Sequence, residues 1–134
     1  HTEILTESHL EAGRVEAALA KSPITVQEFI AGTNIRTYVI GERVISIELK
    51  SELADFRVDD DAKLVVTDTP ELIKNQAIEI TKELYLNWTA IDWRRDKGGE
   101  YYFLEANPSP MFIGFEKQSG ISMSDYIVDY MLEH

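Results

Sequence analysis

Asp92, Glu105 and Asn107 are the residues of this 134-residue chain whose types and spacing point most directly to chemistry. Asp92 lies in Ala90-Ile91-Asp92-Trp93, and the other two close the run Tyr101-Tyr102-Phe103-Leu104-Glu105-Ala106-Asn107 ahead of Pro108-Ser109-Pro110. The aromatic and apolar stretch Tyr101 to Leu104 predicts a buried strand, and Asp96-Lys97-Gly98-Gly99 before it is a hairpin turn signal. The hairpin would set Asp92 and Glu105 near the open ends of paired strands. Residues two apart in an extended chain project from one face, so Glu105 and Asn107 go together and Ala106 faces the other way. Hard divalent cations take oxygen ligands, and Mg²⁺ in particular is held by one or two carboxylates with substrate phosphates and water. These residues outline a phosphoryl-transfer site. An acid at a strand end followed by an Asn-Pro turn is also ordinary structure, and from the local pattern both readings stand.

The elements that must position these residues can be read from the rest of the chain. Glu7 to Ala20 has apolar residues at Leu10, Val15, Ala18 and Leu19 and predicts an amphipathic helix stopped before Pro23, with His9 on its solvated surface. Ile24 to Ile30 is dense in β-branched residues and predicts a strand. Ile35 to Ile40, Gly41-Glu42 and Arg43 to Leu49 read as a hairpin, and Lys63 to Val66 as a further strand. Thr69-Pro70-Glu71 is a capped helix start, and Ile73, Ala77, Ile80 and Leu84 mark the helix face that packs on the sheet. Met111 to Phe115 reads as a partly apolar loop. Ser122 or Ser124 caps a last helix with Tyr126, Ile127, Tyr130 and Met131 as its buried stripe. The fold class is α+β, a mainly antiparallel sheet flanked by helices.

A net charge of −11 argues against general affinity for nucleic acid, which requires a basic surface. With no cysteine there is neither a disulfide framework nor a zinc-thiolate site, and a reducing cytoplasm fits. No apolar run approaches the roughly 20 residues of a membrane span, and no signal-peptide pattern opens the chain. Asp59-Asp60-Asp61 lacks the alternating spacing of a calcium loop. Asn87-Trp88-Thr89 matches a glycosylation sequon, which without a secretory signal reads as accidental. His1 is not an initiator Met, and Leu132-Glu133-His134 looks like the start of a purification-tag scar, so the chain is expected to be an expressed fragment.

Asp92 followed by Glu105-Ala106-Asn107-Pro108-Ser109-Pro110 resembles, in residue types and spacing, the magnesium-binding signature of the ATP-grasp ligases. The resemblance implies that Gln27, Glu28, Phe29 and Ile30 form the linker that clamps adenine, mostly through backbone groups. The logic is sound, because adenine's donor and acceptor edges can be met by backbone C=O and N–H without a special side chain. Asn34 matches a position that is commonly an acid holding the ribose hydroxyls, a departure that puts that contact in question. Arg36 and Arg57, the latter in Asp55-Phe56-Arg57, match arginines of the peptide-modifying and glutamate-ligating branches and are implied to face phosphate or acyl phosphate, with Lys50 a weaker third. A buried Arg must pair with an acid or face an anion, so a structural ion pair of Arg36 with Asp55 or Asp92 stays open. Ser109 and Gly114 fall where the family's loop approaches the second substrate.

Within the superfamily the chain looks like the graspetide, or microviridin-type, synthetases that mature ribosomal peptides by joining side chains. Residues 1–131 would be the C-terminal ATP-grasp subdomain, lacking the N-terminal half of the same chain with its nucleotide-binding lysine, and so inactive alone. The implied reaction uses ATP and Mg²⁺ on a precursor peptide or other carboxylate and amine substrate, with no nucleic acid or membrane partner and with a homodimer left open. A glutamate-adding ligase of the same superfamily and a non-enzymatic α/β module are the alternatives.

Overall fold

The computed structural model describes residues 4–11, 13–21, 23, 25–50 and 63–134. Five strands form one antiparallel sheet: β1 (Gly32–Ile40), β2 (Arg43–Lys50), β3 (Lys63–Thr67), β4 (Trp88–Asp96) and β5 (Tyr101–Asn107), in the spatial order β3-β2-β1-β4-β5. The helices are α1 (Glu7–Glu11), α2 (Arg14–Leu19), α3 (Glu71–Glu83), α4 (Ile113–Ser119) and α5 (Met123–Glu133). The expected α+β class, with an antiparallel sheet flanked by helices, is what the chain adopts.

β1 and β4 lie at the centre of the sheet, so both of their faces need cover, and alternation divides their side chains between two cores. Ile35, Val39, Ile91 and Trp93 pack with Ile73 and Ala77 of α3 on one face. Tyr38, Ile47 and Ala90 pack with Met123, Phe112, Phe115 and Ile121 on the other. Each fully buried aliphatic side chain contributes roughly 2 kcal/mol, so these two layers supply much of what holds the sheet. α3 follows the predicted face at Ile73 and Ala77, but Thr81 completes its buried row while Leu84 is exposed. Thr69 does not cap the helix: its hydroxyl donates to Ser46 Oγ at 2.6 Å, and Ser46 Oγ also meets Thr37 Oγ1 at 2.7 Å. A buried hydroxyl needs a partner, and the sheet offers one to Thr69.

Further expectations change. The Glu7–Ala20 helix is two short ones, because Gly13 sits at φ +63 between them. Residues 25–30 join no strand, since no described strand lies beside them to complete a ladder. Tyr101 to Leu104 is a strand but not a buried one: β5 is the sheet's edge, and Phe103 is half exposed. Residues 113–115 begin α4 rather than continuing a loop, and in α5 it is Met123 that is buried while Met131 is exposed. Ser122 caps α5, accepting from the Asp125 N–H at 3.4 Å. Asp55, Arg57 and Asp59 to Asp61 lie outside the described residues, as do Ser22 and Ile24.

The Gly41-Glu42 turn joins β1 to β2 as read, with Gly41 at φ +59 and a Cβ there only 2.6 Å from Tyr130 Cε2. Gly41→Ala is expected to lower the unfolding free energy by about 1–2 kcal/mol. A urea titration showing no loss would mean that the turn and the α5 ring relax freely.

Candidate active site

One face of the sheet gathers the predicted residues by register alone. Arg36 of β1 stands opposite Asp92 of β4, and Asp92 stands opposite Glu105 of β5. One pair along, Tyr38 faces Ala90 and Ala90 faces Asn107; one pair the other way, Asn34 faces Arg94. Directly opposed residues in an antiparallel sheet share a face with Cβ atoms about 5 Å apart. Asn34, Arg36, Asp92, Glu105 and Asn107 are therefore neighbours.

A bulge makes this possible. Asp92 pairs with Glu105 but Trp93 pairs with Phe103, so Leu104 is an extra residue in β5. In a regular strand Phe103 and Glu105 would share a face. The inserted residue breaks the alternation, letting Phe103 pack edge-on against Trp93 on the α3 side, with ring centroids 5.9 Å apart, while Glu105 joins Asp92 on the other side.

At the centre, Arg36 grips Asp92 with a fork: Nε donates to Oδ1 at 2.7 Å and Nη2 to Oδ2 at 2.6 Å. The ion pair with Asp92 that the sequence left open is formed, while Asp55 lies outside the described residues. Burial alone would lower the Arg36 pKa, but the hydrogen bond and charge of Asp92 outweigh it and the net direction is upward. The Phe115 ring lies 5.1 Å from the guanidinium carbon, a cation–π contact from α4. Beside it the Tyr38 hydroxyl donates to the Met111 carbonyl at 3.0 Å. Burial, opposed by Arg36 and assisted by Asp92, pushes the Tyr38 phenol up from its ordinary 10.0 to about 12.

Glu105 is exposed, and Asn107 is half-buried. Asn107 is pinned twice: its Oδ1 accepts from the Ser109 N–H at 2.9 Å, and its carbonyl accepts from Thr89 Oγ1 at 2.7 Å. The donor set suits Mg²⁺. Two carboxylates and an amide oxygen share a face, and Asp92 keeps lone pairs beyond the two that Arg36 uses. Among the described residues no three His, Cys, Asp or Glu cluster as an all-protein cage.

Phe29 and Ile30 reach this face through Arg94, a residue the sequence reading passed over. Arg94 Nε donates to the Ile30 carbonyl at 2.8 Å, Nη1 donates to Asn34 Oδ1 at 2.7 Å, and the guanidinium lies 5.8 Å from the Phe29 ring centroid. Burial lowers its pKa. The signal was available, since Arg94 is two residues from Asp92 and so shares its face. Gln27 and Glu28 are exposed, as are Ser109 and Gly114; Lys50 ends β2, and Arg57 lies outside the described residues.

The chain is similar to known proteins in sequence and in fold. Residues 2–131 match the RimK-like ATP-grasp domain. A protein named "Probable alpha-L-glutamate ligase 2" from Shewanella denitrificans is 33% identical over 96% of this chain and 45% of its own length. Among solved structures, the ATP-grasp ligase PsnB complexed with a phosphomimetic variant of minimal precursor, Mg and ADP superposes with a TM-score of 0.83 and 27% identity, over 99% of this chain and 42% of that one. A Chryseobacterium gregarium RiPP-associated ATP-grasp ligase in complex with ADP and a leader and core peptide gives 0.83 at 26% identity, over 98% and 42%. The chain thus spans about 45% of the length of the curated relatives it matches. It belongs to the RimK-like ATP-grasp family.

Two outcomes follow for this site. Asp92→Ala leaves a buried guanidinium unpaired and is expected to lower stability by about 3 kcal/mol, with a double Arg36→Met, Asp92→Leu variant recovering most of it. Equal denaturation midpoints for Asp92→Ala and the parent would show that the pair contributes nothing. The raised Tyr38 pKa contributes stability that is complete below pH 10 and lost as the pH rises from about 10 to about 12. Tyr38→Phe should flatten that part of the pH–stability curve, and an equally steep fall would refute the assignment.

Proposed function

We propose, from that family membership, that the intact protein is an ATP-dependent ligase that activates a carboxylate as an acyl phosphate and passes it to an amine or hydroxyl. The observation that carries this is the register that brings Asp92, Glu105 and Asn107 to one face beside the Arg36 guanidinium. The described residues would be the C-terminal half of the catalytic unit, and the N-terminal half of the same protein would complete the nucleotide cleft. Such a protein would work in the cytoplasm, where ATP is supplied. Among the described residues no helix is long and apolar enough to cross a membrane.

In the first step a carboxylate oxygen attacks the γ-phosphorus of ATP, the bond to the β-phosphate oxygen breaks, and ADP leaves. In the second step the amine or hydroxyl attacks the acyl carbon, loses its proton, and inorganic phosphate departs. Both partners of the first step are anions, so charge compensation decides the rate. Asp92, Glu105 and Asn107 would hold Mg²⁺, which would supply positive charge against the phosphates. Arg36 keeps Asp92 in one orientation through its fork and places a fixed positive charge beside the phosphates. The Phe115 ring limits how far that guanidinium can swing. Arg57 is proposed as the second cation on the transferring group. Residues 27–30 would take the adenine, and Asn34 the ribose.

A ribosomally made precursor peptide, cross-linked between its own side chains as in graspetides, is the proposed substrate. It is supported by the fold match to ligases solved with precursor, leader and core peptides. Glutamate addition is the second reading, favoured by the curated relatives named alpha-L-glutamate ligase. Mass spectrometry of a precursor peptide incubated with the intact protein, ATP and Mg²⁺ separates them: each cross-link removes one water, whereas glutamate addition adds a residue mass. Glu105→Gln should abolish Mg²⁺-dependent turnover while leaving the fold intact, since Glu105 is exposed and supports no packing. Undiminished turnover in that variant would remove the metal assignment.

A further inference from the structure

Residues 25–30 run outside the sheet, and most of them are exposed. A segment so placed has no ladder to fix its height above the sheet or its rotation. Among the described residues one side chain takes over that task. Arg94 projects from β4 on the site face, two positions from Asp92, and its Nε–H bonds the Ile30 carbonyl at 2.8 Å. The same planar group bonds Asn34 Oδ1 at 2.7 Å and lies 5.8 Å from the Phe29 ring centroid.

We infer that Arg94 is a nucleotide-positioning residue, fastening the adenine-binding segment and the ribose-facing Asn34 to the strand that carries the metal carboxylate; this rests on the ATP-dependent reading proposed above. A guanidinium has only donors, so it dictates which end of the Asn34 amide it meets. The amide oxygen turns to Arg94, and the NH₂ group is left as the outward donor, suited to the oxygen of a ribose hydroxyl. An acid at position 34 would accept from a hydroxyl there; Asn34, held this way, donates to it. The fork also sets a distance. Arg94 and Asp92 are about 7 Å apart along β4, so the side chain that holds the adenosine end and the carboxylate that holds the phosphate end share one rigid backbone. Lysine could not replace it, because an ammonium on a flexible stem does not hold two acceptors in a fixed plane.

The test is steady-state ATP kinetics on the intact protein and its Arg94→Ala, Arg94→Lys and Asn34→Ala variants, with thermal midpoints measured alongside. Arg94→Ala is expected to raise the KM for ATP roughly tenfold or more, with kcat changed less than about threefold and the Mg²⁺ dependence unaltered. Arg94→Lys should recover only part of the loss. Asn34→Ala should raise KM by itself but add little on top of Arg94→Ala, because the two act as one unit. If Arg94→Ala does not fold, the Arg94→Lys and Asn34→Ala variants decide the matter by the same KM criterion. A KM for ATP equal to the parent's in these variants, whatever their thermal midpoints, overturns the inference and leaves Arg94 a structural residue. A parent protein that neither binds nor turns over ATP would instead remove the ligase reading, and the inference with it.

Discussion

The Arg36–Asp92 fork is the contact on which the site face depends. An arginine that is only 8% exposed in a central strand is tolerable because both of its acceptors sit on the neighbouring strand at hydrogen-bonding distance. That requirement locks the β1–β4 register on the site side, because a slip of one residue would send Arg36 into the aliphatic layer under α3. With the register fixed, everything else on that face falls into place by alternation: Asn34 beside Arg94, Tyr38 beside Ala90, and the open end of β5 beside Asp92. The same bond makes Asp92 serve two purposes. It balances a buried cation and stands beside Glu105 among the oxygen donors of this face.

The central strands carry two kinds of surface back to back, and the chain divides them cleanly. Ile35, Val39, Ile91 and Trp93 meet α3, while Arg36, Tyr38 and Ala90 lie on the side of Phe115 of α4 and Met123 of α5. The division survives in β5 only through the extra residue Leu104, which lets an aromatic side chain and a carboxylate two positions apart serve opposite faces.

Much of this was readable from residue types. The hairpin turns at Gly41-Glu42 and Asp96 to Gly99, the α3 face through Ile73 and Ala77, and the shared face of Glu105 and Asn107 all follow from local chemistry and period. What was not readable depended on neighbours. Whether Tyr101 to Leu104 was central or edge depends on sheet order, which no strand encodes by itself. Residues 25–30 have strand-like composition, but a strand exists only with a partner. Thr69 looked like a cap because local sequence cannot show that Ser46 would lie closer. The spacing of Arg94 from Asp92 places it on the site face, but only the placement of Ile30 and Asn34 reveals its two acceptors.

The irregularity at Leu104 has a second consequence, for how β5 would receive an incoming strand. Among the described residues β5 leaves one side of its backbone unpaired and carries Tyr102, Phe103 and Leu104 in exposed positions, a composition that invites an incoming strand to extend the sheet. An incoming strand needs an uninterrupted row of donors and acceptors in step. The extra residue interrupts that row midway along a seven-residue strand and sharpens its twist. The same insertion that turns Glu105 toward the site thus makes this apolar stretch of β5 a poorer template for an added strand.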